Sequence, residues 1–150
     1  ADDYFETDAL AKVVKALDAN KSYKFAVANT RDFGKRERIV KARQFTWHDM
    51  MRQNCAYGEV VYDADAHHIH HVRYVAMLQD EQGRGFGAVD YHFILQLMHD
   101  LNWQCLVLDD VLLLNYNVRD NSISSKTKQH SAQVLQKLKE HFAELEMVHI

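Results

Sequence analysis

Three of the chain's five glycines stand within five positions, in Gly83-Arg84-Gly85-Phe86-Gly87. A run with helical hydrophobic spacing follows, so this segment is predicted to form the turn that leads into a helix. Glycines in such a turn let a phosphate approach the backbone, and the free N–H groups at the helix start stabilise its charge. Arg84 would add a cation. The pattern predicts a phosphate-binding turn, and the alternative is a turn whose glycines only supply unusual backbone dihedral angles.

The same residues partly fit a dinucleotide-binding fingerprint, Gly-x-Gly-x-x-Gly, with Ala88 at its final position. That fingerprint belongs to the first strand-helix unit of a parallel sheet. Here the strand before the turn is predicted to follow another strand in a hairpin. We therefore set the dinucleotide interpretation aside.

At Gln82-x-x-Gly85-x-Gly87 the sequence resembles the GNAT superfamily of N-acetyltransferases, whose coenzyme-binding signature is Gln/Arg-x-x-Gly-x-Gly/Ala between a long strand and a helix. The resemblance covers about residues 58–108. It implies transfer of an acyl group from acetyl-CoA or another acyl-CoA to an amine, with the coenzyme as a cosubstrate that is not permanently bound. By this resemblance, the residues that would hold the coenzyme are Met77, Leu78, Gln82, Gly83, Arg84, Gly85, Gly87 and Ala88.

Acyl transfer to an amine requires a base, a polarised thioester carbonyl and a proton donor for the departing thiolate. His71 and Glu59 are the candidate bases. Tyr116 and Tyr74 are the candidate acids, because a phenol is suited to protonating a thiolate. The tyrosine that serves as the acid in the family has no counterpart in the last predicted helix. This difference favours a second interpretation, a non-catalytic regulatory or inhibitory module that binds a protein partner.

Charge is unevenly distributed along the chain. The net charge of −3 argues against general affinity for nucleic acid. The basic segment, which we define as residues 31–43, predicts either a solvated loop or edge strand, or a patch that binds a phosphate or an acidic partner. Its cations are Arg31, Lys35, Arg36, Arg38, Lys41 and Arg43, and its acids are Asp32 and Glu37.

Four of the ten histidines lie together in His67-His68-Ile69-His70-His71. On a strand, His68 and His70 would share one face, and such a pair binds zinc when further ligands are close. The simpler interpretation is a set of exposed histidines on a hairpin, and we predict no metal site. The further ligands that a metal would require are sought among Asp63, Asp65 and Cys55.

Hydrophobic periodicity predicts the elements that must position these residues. Helices are predicted at residues 7–19, 47–54, 89–101 and 124–145, and strands at 23–28, 39–45, 59–62, 69–78, 104–108 and 111–116. Thr46 is predicted to cap the second helix, and Asn102 to end the third in the left-handed conformation. Strands 59–62 and 69–78 are predicted to form an antiparallel hairpin. The chain is therefore predicted to be a single α+β domain over residues 1–150, with a mixed, mainly antiparallel sheet flanked by helices. The predicted core includes Leu10, Phe25, Phe93 and Leu138.

Composition and cysteine usage predict the environment of the protein. The chain is 47% hydrophobic and 26% charged, as in ordinary globular proteins. Its apolar runs are far shorter than the roughly 20 residues that cross a bilayer, so no membrane association is predicted. Cys55 and Cys105 are predicted to be buried thiols rather than a disulfide, which favours a reducing, cytoplasmic compartment.

Overall fold

The computed structural model describes residues 2–120 and 122–147 of the chain. Within these ranges the predicted α+β fold is confirmed, with a five-stranded sheet, a two-stranded sheet and helices around them. The strands are β1 (Tyr4–Phe5), β2 (Phe25–Gly34), β3 (Arg38–Val40), β4 (Val60–Tyr62), β5 (Leu78–Gln79), β6 (Gly85–Phe86) and β7 (Cys105–Val118). The helices are α1 (Ala9–Ala19), α2 (Trp47–Arg52), α3 (Asp65–His68), α4 (Val89–Leu95, continued by a π-helical turn, Gln96–Asp100), α5 (Ile123–Gln129) and α6 (Ser131–His141).

The larger sheet is mixed and mainly antiparallel, as predicted. Its two long strands, β2 and β7, lie at the centre and run parallel. The other three pairings, of β1 with β7 and of β3 and β4 with β2, are antiparallel. Residues 25–27 of β2 pair with β4 and residues 30–32 pair with β3. Because β7 occupies the other edge of β2, β3 and β4 share one side of the sheet and β1 lies on the opposite side.

Side-chain alternation along β2 divides the core between the two faces of the sheet. Phe25 and Val27 enter the main core, which also receives side chains from α2, α4 and α6. Ala26 and Ala28 face a smaller cluster beneath α1. Small side chains on that face let α1 pack closely against the sheet, while the large side chains fill the wider space on the other face.

Three of the four predicted core residues are buried, and the fourth is not. Phe25, Phe93 and Leu138 have almost no exposed surface, whereas Leu10 is 45% exposed. Helix α1 contacts the sheet through Ala9 and Val13. The prediction that Leu10 belongs to the core was therefore wrong, because the sheet covers a narrower face of α1.

Strands β2 and β7 are longer than predicted. The predicted strands 104–108 and 111–116 form one strand of 14 residues, and the predicted break falls at a bulge where the register with β2 shifts. The Asn29 side chain donates a hydrogen bond of 2.7 Å to the carbonyl of Asp109 in this bulge. The predicted strand stopped just before Asn29. In the structure β2 continues, and the Asn29 side chain satisfies a backbone carbonyl that the bulge of β7 leaves without a strand partner.

The predicted hairpin of strands 59–62 and 69–78 is wrong. Strand β4 pairs with β2, and residues 69–77 contain no strand. His67 and His68 belong to α3, whose start is fixed by a hydrogen bond from the Asp65 N–H to the Asp63 carboxylate. His71 has a left-handed backbone with φ of 58°. Local side-chain to backbone bonding therefore overrides the alternation of apolar residues in this segment.

Helix ends and cysteines follow the local prediction more closely. Thr46 caps α2 in a capping box with Asp49, and Asn102 after the π-helical turn is left-handed with φ of 55°. Cys55 is half-buried and Cys105 is buried, and both are free thiols. The predicted last helix is divided at His130 into α5 and α6. No helix among the described residues is long and apolar enough to span a membrane.

Helix α4 places one histidine in the main core. His92 is 5% exposed, and its Nδ1 accepts a hydrogen bond of 3.0 Å from the Gln96 amide. Burial and the neighbouring His141 lower the pKa of His92 to about 4, although Asp100 acts in the opposite sense. The folded protein therefore holds His92 neutral under conditions in which an exposed histidine takes up a proton.

We expect this histidine to make stability fall as the pH is lowered from 7 to 5. The pKa of His92 is about 6.5 when unfolded and about 4 when folded, so protonation favours the unfolded state by about 2 kcal/mol at pH 5. Urea unfolding at both pH values measures the decrease. The variant His92→Gln should lose less stability than the parent, while His68→Gln, at an exposed site, should behave like the parent. Equal decreases in the free energy of unfolding in all three proteins would show that His92 does not cause the loss.

Candidate functional site

The turn predicted to bind phosphate already binds a carboxylate of the chain. Asp80 accepts hydrogen bonds from the backbone N–H groups of Gln82 at 3.0 Å and Arg84 at 2.8 Å. It also pairs with the Arg84 guanidinium at 2.9 Å and the Lys126 ammonium at 3.2 Å. These contacts, the Arg84 backbone hydrogen bond first, lower the pKa of Asp80 to about 2. Two backbone donors of the turn, the Gln82 and Arg84 N–H groups, are therefore engaged by Asp80.

Two of the three glycines, Gly83 and Gly85, lie in a hairpin, whereas Gly87 stands directly before the Ala88 cap of the predicted helix. Strands β5 and β6 pair antiparallel across the turn, with Leu78 opposite Phe86 and Gln79 opposite Gly85. Helix α4 begins only after Gly87, which is left-handed with φ of 100°.

The residues expected to hold the coenzyme have structural contacts of their own. A Cβ at Gly85 would lie 2.5 Å from the Ala76 Cβ, and one at Gly87 would lie 2.9 Å from a Val134 methyl. Met77 is buried, and its N–H approaches the Gly87 carbonyl at 3.4 Å. Ala88 is left-handed before α4, and Gly83 is open at the tip of the hairpin. The structure thus gathers these residues around one turn and uses most of them to fold it.

Two of the four predicted catalytic residues line one cavity, and Tyr74 and His71 lie outside it. Glu59 and Tyr116 line a common cavity of about 330 Å³ together with Asp90. Burial raises the pKa of Tyr74, and a hydrogen bond with Tyr62 and the nearby Asp90 and Glu59 add to this effect. His71 lies in the exposed segment after α3. Among the described residues no hydrogen bond joins any of the four predicted side chains to another.

His67 is engaged with a tyrosine, which sequence analysis missed. Its Nε2 accepts a hydrogen bond of 2.7 Å from the Tyr62 hydroxyl, and its Nδ1 donates one of 2.6 Å to the Val72 carbonyl. Only His68, His70 and His71 have the exposure predicted for the group. In residues 2–120 and 122–147 no three His, Cys, Asp or Glu side chains are grouped to hold a metal ion.

The basic segment forms the hairpin of β2 and β3 around a buried carboxylate. Asp32 has no exposed surface. It accepts hydrogen bonds from the Tyr57 hydroxyl at 2.8 Å, from Arg38 Nε at 2.8 Å and from Arg36 Nε at 3.0 Å. Burial raises the pKa of Asp32, but the hydrogen bonds from Arg38, Tyr57 and Arg36 lower it by more. The pKa of Asp32 therefore lies below its ordinary value, and the carboxylate positions two arginines.

A groove of about 740 Å³ lies between β3 and α2. Its lining contains four cationic side chains and a single carboxylate, Asp49, which caps α2 by accepting hydrogen bonds from Thr46. A negatively charged ligand is therefore favoured inside the groove. We call this the basic groove and define it by Arg38, Lys41, Arg43, Phe45, Arg52 and Tyr57.

Several of these cations are free to bind an anion. Arg38 is held through Nε by Asp32, and its guanidinium carbon lies 5.7 Å from the centre of the Tyr57 ring. Asp32 is the only carboxylate partner of Arg38 within the described part of the chain, and Arg43 and Arg52 form no ion pair there. Planar donors held in this way are suited to bidentate recognition of carboxylate or phosphate.

Part of the basic groove was predicted from the sequence. Arg38, Lys41 and Arg43 belong to the basic segment, but Arg52 and Tyr57 come from later parts of the chain. The available signal for Asp32 was an acid within a run of cations. That signal does not tell whether the acid is buried, so its organising role was missed.

The comparisons with known proteins do not assign a family. The scan against protein-family models finds no match. The search of curated proteins finds no relative.

Proposed function

We propose that this protein is a non-catalytic binding module that recognises an acidic protein partner through the basic groove. The observation that carries the proposal is the position of Arg38, which a buried carboxylate holds at the groove through Nε and which has no second carboxylate partner among the described residues. A donor that is ordered before binding loses less conformational entropy when the partner arrives. Arg43 and Arg52 extend the same positive surface.

The lining of the groove favours a protein partner over nucleic acid. Single-stranded nucleic acid is usually bound by exposed aromatic rings along a basic track. Here Phe45 is 5% exposed, and the Tyr57 ring is covered by Arg38. Ile39 and Val40 contribute apolar surface between the cations, which suits the side chains of a peptide. The net charge of −3 also differs from that of a general nucleic-acid binder.

Acyl transfer from acetyl-CoA to an amine stays a prediction from the glycine motif. Two backbone donors of the turn bind Asp80, and within the described residues no hydrogen bond joins the candidate catalytic side chains to one another. A binding function needs neither of these features. We therefore place the acyltransferase second, as an outcome that the binding experiment can reveal.

The basic groove is tested with a labelled peptide of alternating glutamate and valine, followed by fluorescence anisotropy. We expect binding that weakens as salt rises from about 50 mM to about 200 mM, because the contacts are ionic. Arg43→Ala with Arg52→Ala should weaken binding about tenfold, since two exposed cations are lost. The matched control is Lys12→Ala with Lys15→Ala, which removes two cations from α1 on the other face of the sheet.

Three outcomes would replace this proposal. Tighter binding of a single-stranded RNA oligonucleotide, weakened by the same arginine substitutions, would make the groove a nucleic-acid site. An increase in melting temperature with acetyl-CoA that Arg84→Ala removes would favour the acyltransferase. Peptide affinity that is unchanged in the variant without Arg43 and Arg52 would place the binding surface elsewhere.

A further inference from the structure

Strand β3 has one edge that pairs with no other strand in the described chain. Its other edge pairs with β2, with Thr30 opposite Val40 and Asp32 opposite Arg38. No backbone hydrogen bond joins residues 38–41 to any described segment other than β2. An edge of this kind presents unpaired N–H and C=O groups to a further strand.

The basic groove runs beside this free edge. Residues 38–41 form one wall of the groove, and Arg52 and Cys55, at and after the end of α2, contribute to the other wall. Successive side chains along β3 point to opposite faces, so a chain lying beside it meets Arg38 and Val40 on one face and Ile39 on the other. Ile39 is 56% exposed. An occupant of the groove therefore has both a backbone template and alternating cationic and apolar contacts.

We infer that the partner binds as an extended acidic segment that adds a strand to the free edge of β3. The inference rests on the proposed function and specifies how the same groove is used. Backbone hydrogen bonds to β3 supply affinity, and pairing of the segment's carboxylates with Arg38, Arg43 and Arg52 selects the partner. The charge of the groove suits an acidic occupant. Its lining has four cations and a single carboxylate, and that carboxylate is already bonded to the cap of α2.

The same charges disfavour a second copy of the chain on this edge. Cations on an edge strand are a common protection against pairing with an identical edge, because like charges then face each other. Two copies of β3 would bring Arg38 and Lys41 of each chain together. An acidic strand would instead be attracted by these cations. The charges on β3 therefore select an acidic partner over a second copy of the chain.

The test uses the glutamate and valine peptide with N-methyl groups on alternate residues, in two registers. In a strand, alternate N–H groups point to opposite edges, so one register blocks the donors that face β3 and the other blocks donors that face solvent. We expect one methylated peptide to lose at least tenfold in affinity and the other to bind like the parent peptide. Hydrogen exchange should slow at β3 and stay unchanged at β1, the strand at the opposite side of the sheet.

The outcomes separate this inference from the proposed function. If both methylated peptides bind as tightly as the parent peptide, the groove recognises side chains without strand addition, and only the inference fails. If both lose affinity equally, methylation acts through the free peptide's conformation, and strand addition is again excluded. If the unmodified peptide does not bind, both the proposed function and the inference are overturned.

Discussion

Replacing Asp32 with alanine is expected to lower the free energy of unfolding by about 3 kcal/mol, because it removes a buried, charged acceptor of several hydrogen bonds. The side chain has no exposed surface and binds Tyr57, Arg36 and Arg38. Its pKa is below the ordinary value, so its contribution is complete above about pH 4 and is lost as the pH falls through the folded pKa. Denaturant unfolding at neutral pH measures the effect.

A double-mutant cycle between Asp32 and the two arginines tests whether they stabilise the fold by neutralising this carboxylate. Arg36→Ala with Arg38→Ala should destabilise the parent, since Asp32 would keep only the Tyr57 hydroxyl. The same two substitutions should cost little when Asp32 is already alanine, because no buried carboxylate is left to neutralise. Glu37→Ala, at an exposed position of the hairpin, should change stability little. An equal cost of the arginine substitutions in both backgrounds would show that they do not act through Asp32.

Replacing Gly58 with alanine is also expected to cost about 3 kcal/mol. The φ of Gly58 is 86°, where an L side chain is strained by about 1–2 kcal/mol. Its Cβ would also overlap the hydroxyl of Thr30, a β-branched side chain that is almost completely buried and has little room to rotate. Thermal or denaturant unfolding measures the loss. Because Gly58 follows Tyr57, which holds Asp32, peptide binding to the basic groove should weaken as well.

Gly83 is the matched control for this substitution. Its φ of 76° imposes similar backbone strain, but a Cβ there meets no atom within 4 Å. Gly83→Ala should therefore cost only about 1 kcal/mol. Adding Thr30→Ala to Gly58→Ala should recover part of the loss, since it removes the overlapping hydroxyl. Similar losses at Gly58 and Gly83 would mean that backbone strain alone, rather than the overlap with Thr30, sets the cost.

Local features of the sequence were sufficient for several elements of the fold. The helical spacing of α1, the cap at Thr46 and the left-handed Asn102 were all predicted and are confirmed. Each depends on residues that are close in the chain, because a cap or a helix turn is completed within three or four positions. The alternation of Phe25 and Val27 likewise predicted a strand with one face in the main core.

The functional regions were harder to predict because they depend on pairs that are distant in sequence. Glycines around Gly85 indicated a phosphate turn, but Lys126 and Asp80 meet there and fill it with an internal ion pair. The basic segment indicated either a solvated loop or edge strand or an anion-binding patch, and anion binding there stays a prediction. The groove is also lined by Arg52 and by residues that follow it, which only the packing of α2 brings beside β3.

The sequence by itself determined the α+β class and the face that most elements bury, because hydrophobic period and capping are local properties. Tertiary structure alone decided that β2 pairs in parallel with β7, that β3 keeps a free edge, and that Asp32 is buried while Asp80 occupies the turn. The physical reason is desolvation. The energetic effect of a charged side chain depends on whether folding desolvates it and on which partner the fold places beside it. Neither can be read from the residues next to it in the sequence.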